Sequence, residues 1–291
     1  QTPELAQYRV LPRMSALSEV LWSGPKKNSY EDFYFRLQHL KKRFQKLNWV
    51  YSEGSYKVNI KRHVANDSFN TFVALTSEHP REPIYYTTNG KNPDQHSKIY
   101  SKKISVEKTT TIKAGILKRD NSLGPISEKT FYFHKAIGKS VSYKTKPTEK
   151  YSGTGYNNLI DGLIGSENHN DGYWHGWERD NMKVVVDLIE DKKVDTIICG
   201  FLESHQSWIF LPKSITASFS SDGKNFTNKK QLALQDGKNF GNSTRKEVLF
   251  SDLNQFARYI LIEAINRKVC PNWHAGSGGD SWVFCDEIII Q

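Results

Sequence analysis

KVVVDLIEDKKVDTIICGFLE, residues 183–203, decides the fold of this chain. It reads as two consecutive strands, KVVVDLI and VDTIICGFLE, rich in the β-branched residues that suit a pleated surface. The same kind of run recurs downstream in SITASFSSDG (214–223), KKQLALQ (229–235), KEVLFSD (246–252), ARYILIEAI (257–265) and WVFCDEIII (282–290). Seven or eight strands without an intervening helix predict a large antiparallel sandwich or jelly roll.

Working outward, residues 136–158 (AIGKSVSYKTKPTEKYSGTGYNN) are polar and aperiodic and read as a linker and lead-in. Residues 51–135 alternate with period two (Val58/Ile60, Phe72/Leu75, IYYTTNG, TTTIKAGIL), and Asn89-Gly90 marks a tight turn, so a second, smaller antiparallel sandwich is expected there. Residues 1–50 are helical: Thr2-Pro3-Glu4 fits an N-cap with proline at the first helical position, SALSEVLW continues after Pro12, and Ser29 with Asp32 opens a third helix. The apolar stripe of that helix is expected at Phe33, Leu37, Leu40, Phe44 and Leu47. The fold class is therefore mostly β, two sandwiches in tandem after a helical segment, with units at 1–50, 51–135 and 136–291.

Composition narrows the function. No apolar run approaches the roughly 18 residues needed to cross a bilayer. The net charge of +10 lies entirely before residue 137, since residues 137–291 carry 18 basic and 19 acidic side chains; the positive residues are dispersed, which argues against nucleic-acid binding. Cys199, Cys270 and Cys285 are too few for a disulfide framework or a cysteine-rich zinc site. Cys199 and Cys285 read as small buried hydrophobes, and Cys270 as a loop thiol. The chain opens on Gln1-Thr2-Pro3, so any targeting signal is expected upstream.

The order NNLIDG, DL-x5-V-x2-I-x2-G (187–200), S-x-S-x-DG-x-x-F (218–226), ARYILIEAI and a last strand ending DEIII resembles the discoidin, or coagulation factor 5/8 type C, domains. These include the galactose-binding-like carbohydrate-binding modules of family 32. PIYYTTNGKNPD and TTTIKAGIL are similar to the small immunoglobulin- or fibronectin-like sandwich that follows the barrel in bacterial β-N-acetylhexosaminidases of glycoside hydrolase family 20. QYRVLPRMSALSEVLWS and DFYFRLQHLKKRF resemble the closing helices of that barrel. The resemblance implies a secreted, periplasmic or outer-membrane-associated bacterial enzyme, with its catalytic barrel upstream in the same chain. It also implies that this segment is inactive alone: the family's catalytic Asp-Glu pair maps onto no residue here, so the catalytic set is empty. Trp22 and Glu19, the candidates for a leftover pocket wall, read better as helix-packing residues.

Five of the seven tryptophans fall after residue 170. A sugar site favours an aromatic face beside hydroxyl-binding side chains on loops of a rigid sandwich. Trp282 and Trp208 read as core. Asn272, Trp273 and His274, set among Pro271, Gly276, Gly278 and Gly279, are expected to project from a loop, with Trp177 and His205 as partners. The expected ligands are glycans containing N-acetylhexosamine or galactose. The resemblance further implies a structural Ca²⁺ held by the carboxylates of Asp161 and Glu287, carbonyls of Asn158, Leu163 and Asp286, and the hydroxyl of Ser166, with Asp171 able to replace it across the long GSENHNDGY insertion. Two other readings fit the same sequence: an interaction module for protein or phospholipid, against which the polar loops argue for lack of membrane-inserting side chains, and a purely architectural role.

Overall fold

The computed structural model describes residues 2–24, 29–64, 71–118, 122–153, 158–235 and 241–291. The chain is mostly antiparallel β and forms two compact units, one comprising Gln1–Lys61, Ala74–Lys103 and Lys113–Glu128, the other Arg62–Val73, Ile104–Ile112 and Lys129–Gln291. Among the described residues no helix is long and apolar enough to cross a membrane.

Three helices lead: α1 (Pro3–Val10), α2 (Arg13–Ser23) and α3 (Tyr30–Lys46). Thr2 Oγ1 accepts the Leu5 N–H at 3.3 Å, and Pro3 stands where a missing N–H costs nothing. Ser29 caps α3, accepting from Asp32 N at 3.1 Å. The inner stripe of α3 differs from the apolar reading: Tyr34, Leu37, Lys41 and Phe44 are buried, Phe33 and Leu40 are half-buried, and Leu47 is exposed. The reason is that the polar ends of the inner side chains find partners. The Tyr34 hydroxyl lies 3.0 Å from His79 Nδ1, and Lys41 Nζ lies 3.2 Å from Glu53 Oε2. Helix α2 buries no residue, and Trp22 is 94% exposed, so the packing role expected for it is not met; Glu19 instead pairs with Arg36.

The short strands are β1 (Val58–Val64), β2 (Thr71–Ser77), β3 (Ile84–Thr87), β4 (Lys98–Ile99), β5 (Ile104–Val106), β6 (Thr110–Ile116) and β7 (Ser127–Phe131). They form sheets of order β1-β2-β5 and β4-β3-β6-β7. The larger sandwich follows with β8 (Ser140–Thr145), β9 (His175–Glu178), β10 (Met182–Val194), β11 (Ile197–Glu203), β12 (Ser214–Ser220), β13 (Thr227–Ala233), β14 (Thr244–Phe250), β15 (Gln255–Ile265) and β16 (Trp282–Ile290). A five-stranded sheet, β13-β12-β15-β10-β8, and a four-stranded sheet, β14-β11-β16-β9, share one core that includes Val184, Val186, Ile197, Phe201, Ile260, Ile262 and Val283. β8 corrects the linker reading of residues 136–158: SVSYKT pairs with β10, and Val141 is buried. Of that lead-in, residues 154–157 lie outside the described residues.

β16 is buried along nearly its whole length, beyond what alternation allows. Val283 and Cys285 face the core, and then the parity switches to Ile288 and Ile290. Against β11 the pairing runs Phe201↔Cys285 but Cys199↔Ile288, one extra residue on β16 and hence a β-bulge. The bulge buries Asp286 and Glu287 side by side in sequence. Gly200, the glycine that closes the 187–200 motif, makes room for it: a Cβ there would lie 2.0 Å from Asp286 Oδ1 and 2.2 Å from Arg245 Nη2.

Candidate functional site

Strand polarity gathers the ends of β11 and β9 and the starts of β14 and β16 at one end of the larger sandwich. There β11 turns through residues 204–209, closed by the Ser204–Ile209 bridge, while residues 266–281 return to β16. His205 is buried in the turn, its ring stacked on Phe210 (centroids 4.9 Å apart) and edge-on to Trp273 (5.1 Å), with Nε2 3.3 Å from Glu203 Oε1. His274 is only 7% exposed. Its Nδ1 accepts the Gly276 N–H at 3.0 Å, which leaves Nε2 to donate to the His205 carbonyl at 2.8 Å. His274 is therefore a strap that ties the glycine-rich loop to the turn. Trp273 is half-buried beside it, and Asn272 is exposed.

Among the described residues, the ring this end presents to solvent is Trp208, which the sequence placed in the core. It sits in the left-handed region at φ 61° and is 41% exposed. The glycines of AGSGGD form its bed: a Cβ on Gly276 or on Gly279 would come within 2.8 Å of the indole. Arg179, exposed, and Asp280, partly exposed, lie 3.2 Å apart at the same end. Of the five residues expected to form the sugar site, His205, Trp273 and His274 do cluster, but His205 and His274 are too buried to meet a ligand. Trp177 is fully buried in the main core, its Nε1 donating to the Thr145 carbonyl at 2.9 Å. Trp282 is half-buried against Tyr151 and Phe284, in keeping with the core reading. Cys270 is also buried, its Sγ 3.9 Å from the Asp280 carbonyl, so it is not an accessible loop thiol. The signal for Trp208 lay in the glycines; their spacing asks for a large neighbour, and only the fold shows which one.

The residues expected to hold calcium lie elsewhere. Glu287 is fully buried and accepts from Asp161 N (3.2 Å), Gly162 N (3.1 Å) and His134 Nε2 (2.9 Å). Asp161 accepts from Leu163 N at 2.9 Å and pairs with Arg62 Nη1 at 3.3 Å. Burial pushes the Asp161 carboxyl up to about 6 against the pull of Arg62. Burial, and then the nearby Asp161 charge, push Glu287 upward as well. Asp286 turns to Arg245 and Gly165 N instead. Ser166 is exposed in the insertion, its hydroxyl accepting from Asn168 N, and Asp171 closes that loop by accepting from Ser166 N and Tyr173 N. Asn158 and Leu163 are buried. Among the described residues no three His, Cys, Asp or Glu side chains form a cluster that could hold a metal. A hard cation needs six to eight oxygens with free lone pairs. Asp161 and Glu287 instead face N–H groups and a guanidinium, so this donor set does not fit calcium.

Among the described residues, this loop end of the jelly roll carries one exposed aromatic ring. Residues 140–286, half of the chain, match the F5/8 type C domain family, and the chain belongs to that family. Residues 65–127 match the chitobiase/beta-hexosaminidase C-terminal domain. No curated protein matches the chain. Similar solved structures include a Streptococcus pneumoniae fucose binding module (17% identity, 54% of this chain and 94% of that one, TM-score 0.36). Two others are the lectin domain of lectinolysin complexed with Lewis B antigen (15%, 55% and 96%, 0.34) and chitosan-binding module 1 of a Paenibacillus sp. IK-5 chitosanase/glucanase (13%, 55% and 99%, 0.32).

Proposed function

We propose that this chain is the non-catalytic C-terminal region of a secreted or periplasmic β-N-acetylhexosaminidase, an enzyme that removes terminal N-acetylhexosamine residues from glycans. In this reading the larger sandwich holds a glycan for a catalytic barrel upstream, and the smaller one is a spacer. The family match of residues 65–127 supports the parent enzyme. The observation that carries sugar binding is Trp208, an exposed indole bedded on Gly276 and Gly279 at the end that also bears Asn272 and the Arg179–Asp280 pair. A flat ring offers its face to the C–H face of a pyranose, and the polar neighbours supply hydroxyl partners.

The test is a calorimetric and tryptophan-fluorescence titration of the whole chain with N-acetylglucosamine, N-acetylgalactosamine and galactose. At least one sugar is expected to bind saturably, and Trp208→Ala to weaken it about tenfold or more, a loss of roughly 1.4 kcal/mol, with an unchanged melt. Silence with all three sugars favours the architectural role, and turnover of an aryl N-acetylglucosaminide by the pure chain would refute the assignment as non-catalytic. Phe256, 71% exposed on β15, is the observation that favours a phospholipid- or protein-binding reading. Cosedimentation with anionic vesicles, lost in Phe256→Ser, would establish that reading instead.

A further inference from the structure

We propose that Arg62 is a built-in cation that takes the place of calcium, holding the Asp161–Glu287 corner of the fold together without a metal ion. Two carboxylates, one fully buried and one 13% exposed at the side chain, are brought to a single turn by residues 126 positions apart. Left alone, like charges in so dry a place would repel strongly, and the usual remedies are a proton, a metal or an internal cation. Here the internal cation is present. The Arg62 guanidinium, whose side chain is 11% exposed, lies 3.3 Å from Asp161 Oδ2.

The remaining lone pairs are taken by neutral donors. His134 settles one of them by its tautomer: its Nδ1 accepts from Ala136 N (3.3 Å) and Ile290 N (3.4 Å), so Nε2 carries the proton and donates to Glu287. With Nδ1 accepting two N–H groups, the ring carries a single proton and is neutral, so the positive charge comes from Arg62. The backbone N–H groups of Asp161 and Gly162 aim at Glu287, and that of Leu163 aims at Asp161. A cation entering this corner would have to expel the guanidinium and turn those N–H groups away.

The experiment is a pair of thermal melts of the whole EDTA-treated chain, in millimolar Ca²⁺ and in EGTA, with bound metal measured by elemental analysis. The wild-type chain is expected to melt at the same temperature within about 1 °C in both and to retain no stoichiometric calcium. Arg62→Met is expected to lower the midpoint by about 6 °C or more, because one partner of a largely buried pair is lost, and to regain part of that in Ca²⁺. Arg62→Lys, which keeps the charge, is expected to stay calcium-independent. A saturable rise in the wild-type midpoint with Ca²⁺, or one bound Ca²⁺ per chain, overturns the proposal. So does an Arg62→Met chain whose melt matches wild type in both buffers. If Arg62→Met fails to fold, the wild-type melts and Arg62→Lys still decide.

Discussion

His175 is the residue through which this domain is expected to sense acid. It lies in β9, 1% exposed, stacked between Tyr143 (centroids 5.9 Å) and Trp177 (6.4 Å). Its Nδ1 has no hydrogen-bond partner among the described residues. Burial alone moves the imidazole from 6.5 down to about 4. An unfolded chain takes up the proton near 6.5, while the folded site refuses it until about 4. Between those values the unfolded state binds more protons, so stability is complete above 6.5 and falls as the pH is lowered. Integrating the two titrations gives a loss of about 2 kcal/mol at pH 5 and about 3 kcal/mol at pH 4. The perturbation is His175→Phe, which keeps an aromatic ring between Tyr143 and Trp177 and removes the titration. Urea unfolding of both chains at pH 7.5, 6 and 5 isolates the residue, since the other titrating groups, His134 included, are common to both. The wild-type chain is expected to lose about 2 kcal/mol more than the variant between pH 7.5 and 5. Parallel pH profiles for the two chains would refute the reasoning.

Two further predictions concern the bulge in β16. Gly200→Ala drives a Cβ into the Asp286 carboxylate and should destabilise by about 1–3 kcal/mol, read as a lower urea midpoint with an unchanged m-value. Arg245→Met strands a buried carboxylate whose own titration burial has already raised; it should lose about 3–5 kcal/mol, and Asp286→Asn in the same chain should restore part of it. An Arg245→Met chain as stable as wild type would mean that the pair does not hold the bulge.

The fold was legible because it rests on local patterning. Apolar, β-branched runs such as VVVDL and TIICGFL are strands wherever they pack, and the S-x-S-x-DG-x-x-F stretch is a turn by its own chemistry: Asp222 Oδ1 accepts the N–H groups of Lys224 and Asn225, both at 2.8 Å. β8 was missed because, of its alternate inward residues Val141, Tyr143 and Thr145, only Val141 is fully buried, so this edge strand carries a weak apolar signal. The stripe of α3 was rotated by about a sixth of a turn because the interior partners of Tyr34 and Lys41 stand on distant residues.

The candidate site was legible only as a neighbourhood. Sequence alone determined that a glycine-rich loop with Trp273 and His274 leads into a buried strand, since turn residues and apolar runs act on their immediate neighbours. Which ring reaches solvent and which carboxylate meets a cation was decided by tertiary structure. Trp208 takes its place because Gly276 and Gly279 carry no Cβ to meet its indole, and His274 turns inward because a carbonyl 69 residues away accepts its hydrogen bond. Arg62 meets Asp161 across nearly 100 residues. Such pairings depend on distances between strands, and a linear chain does not specify these until its sheets have closed.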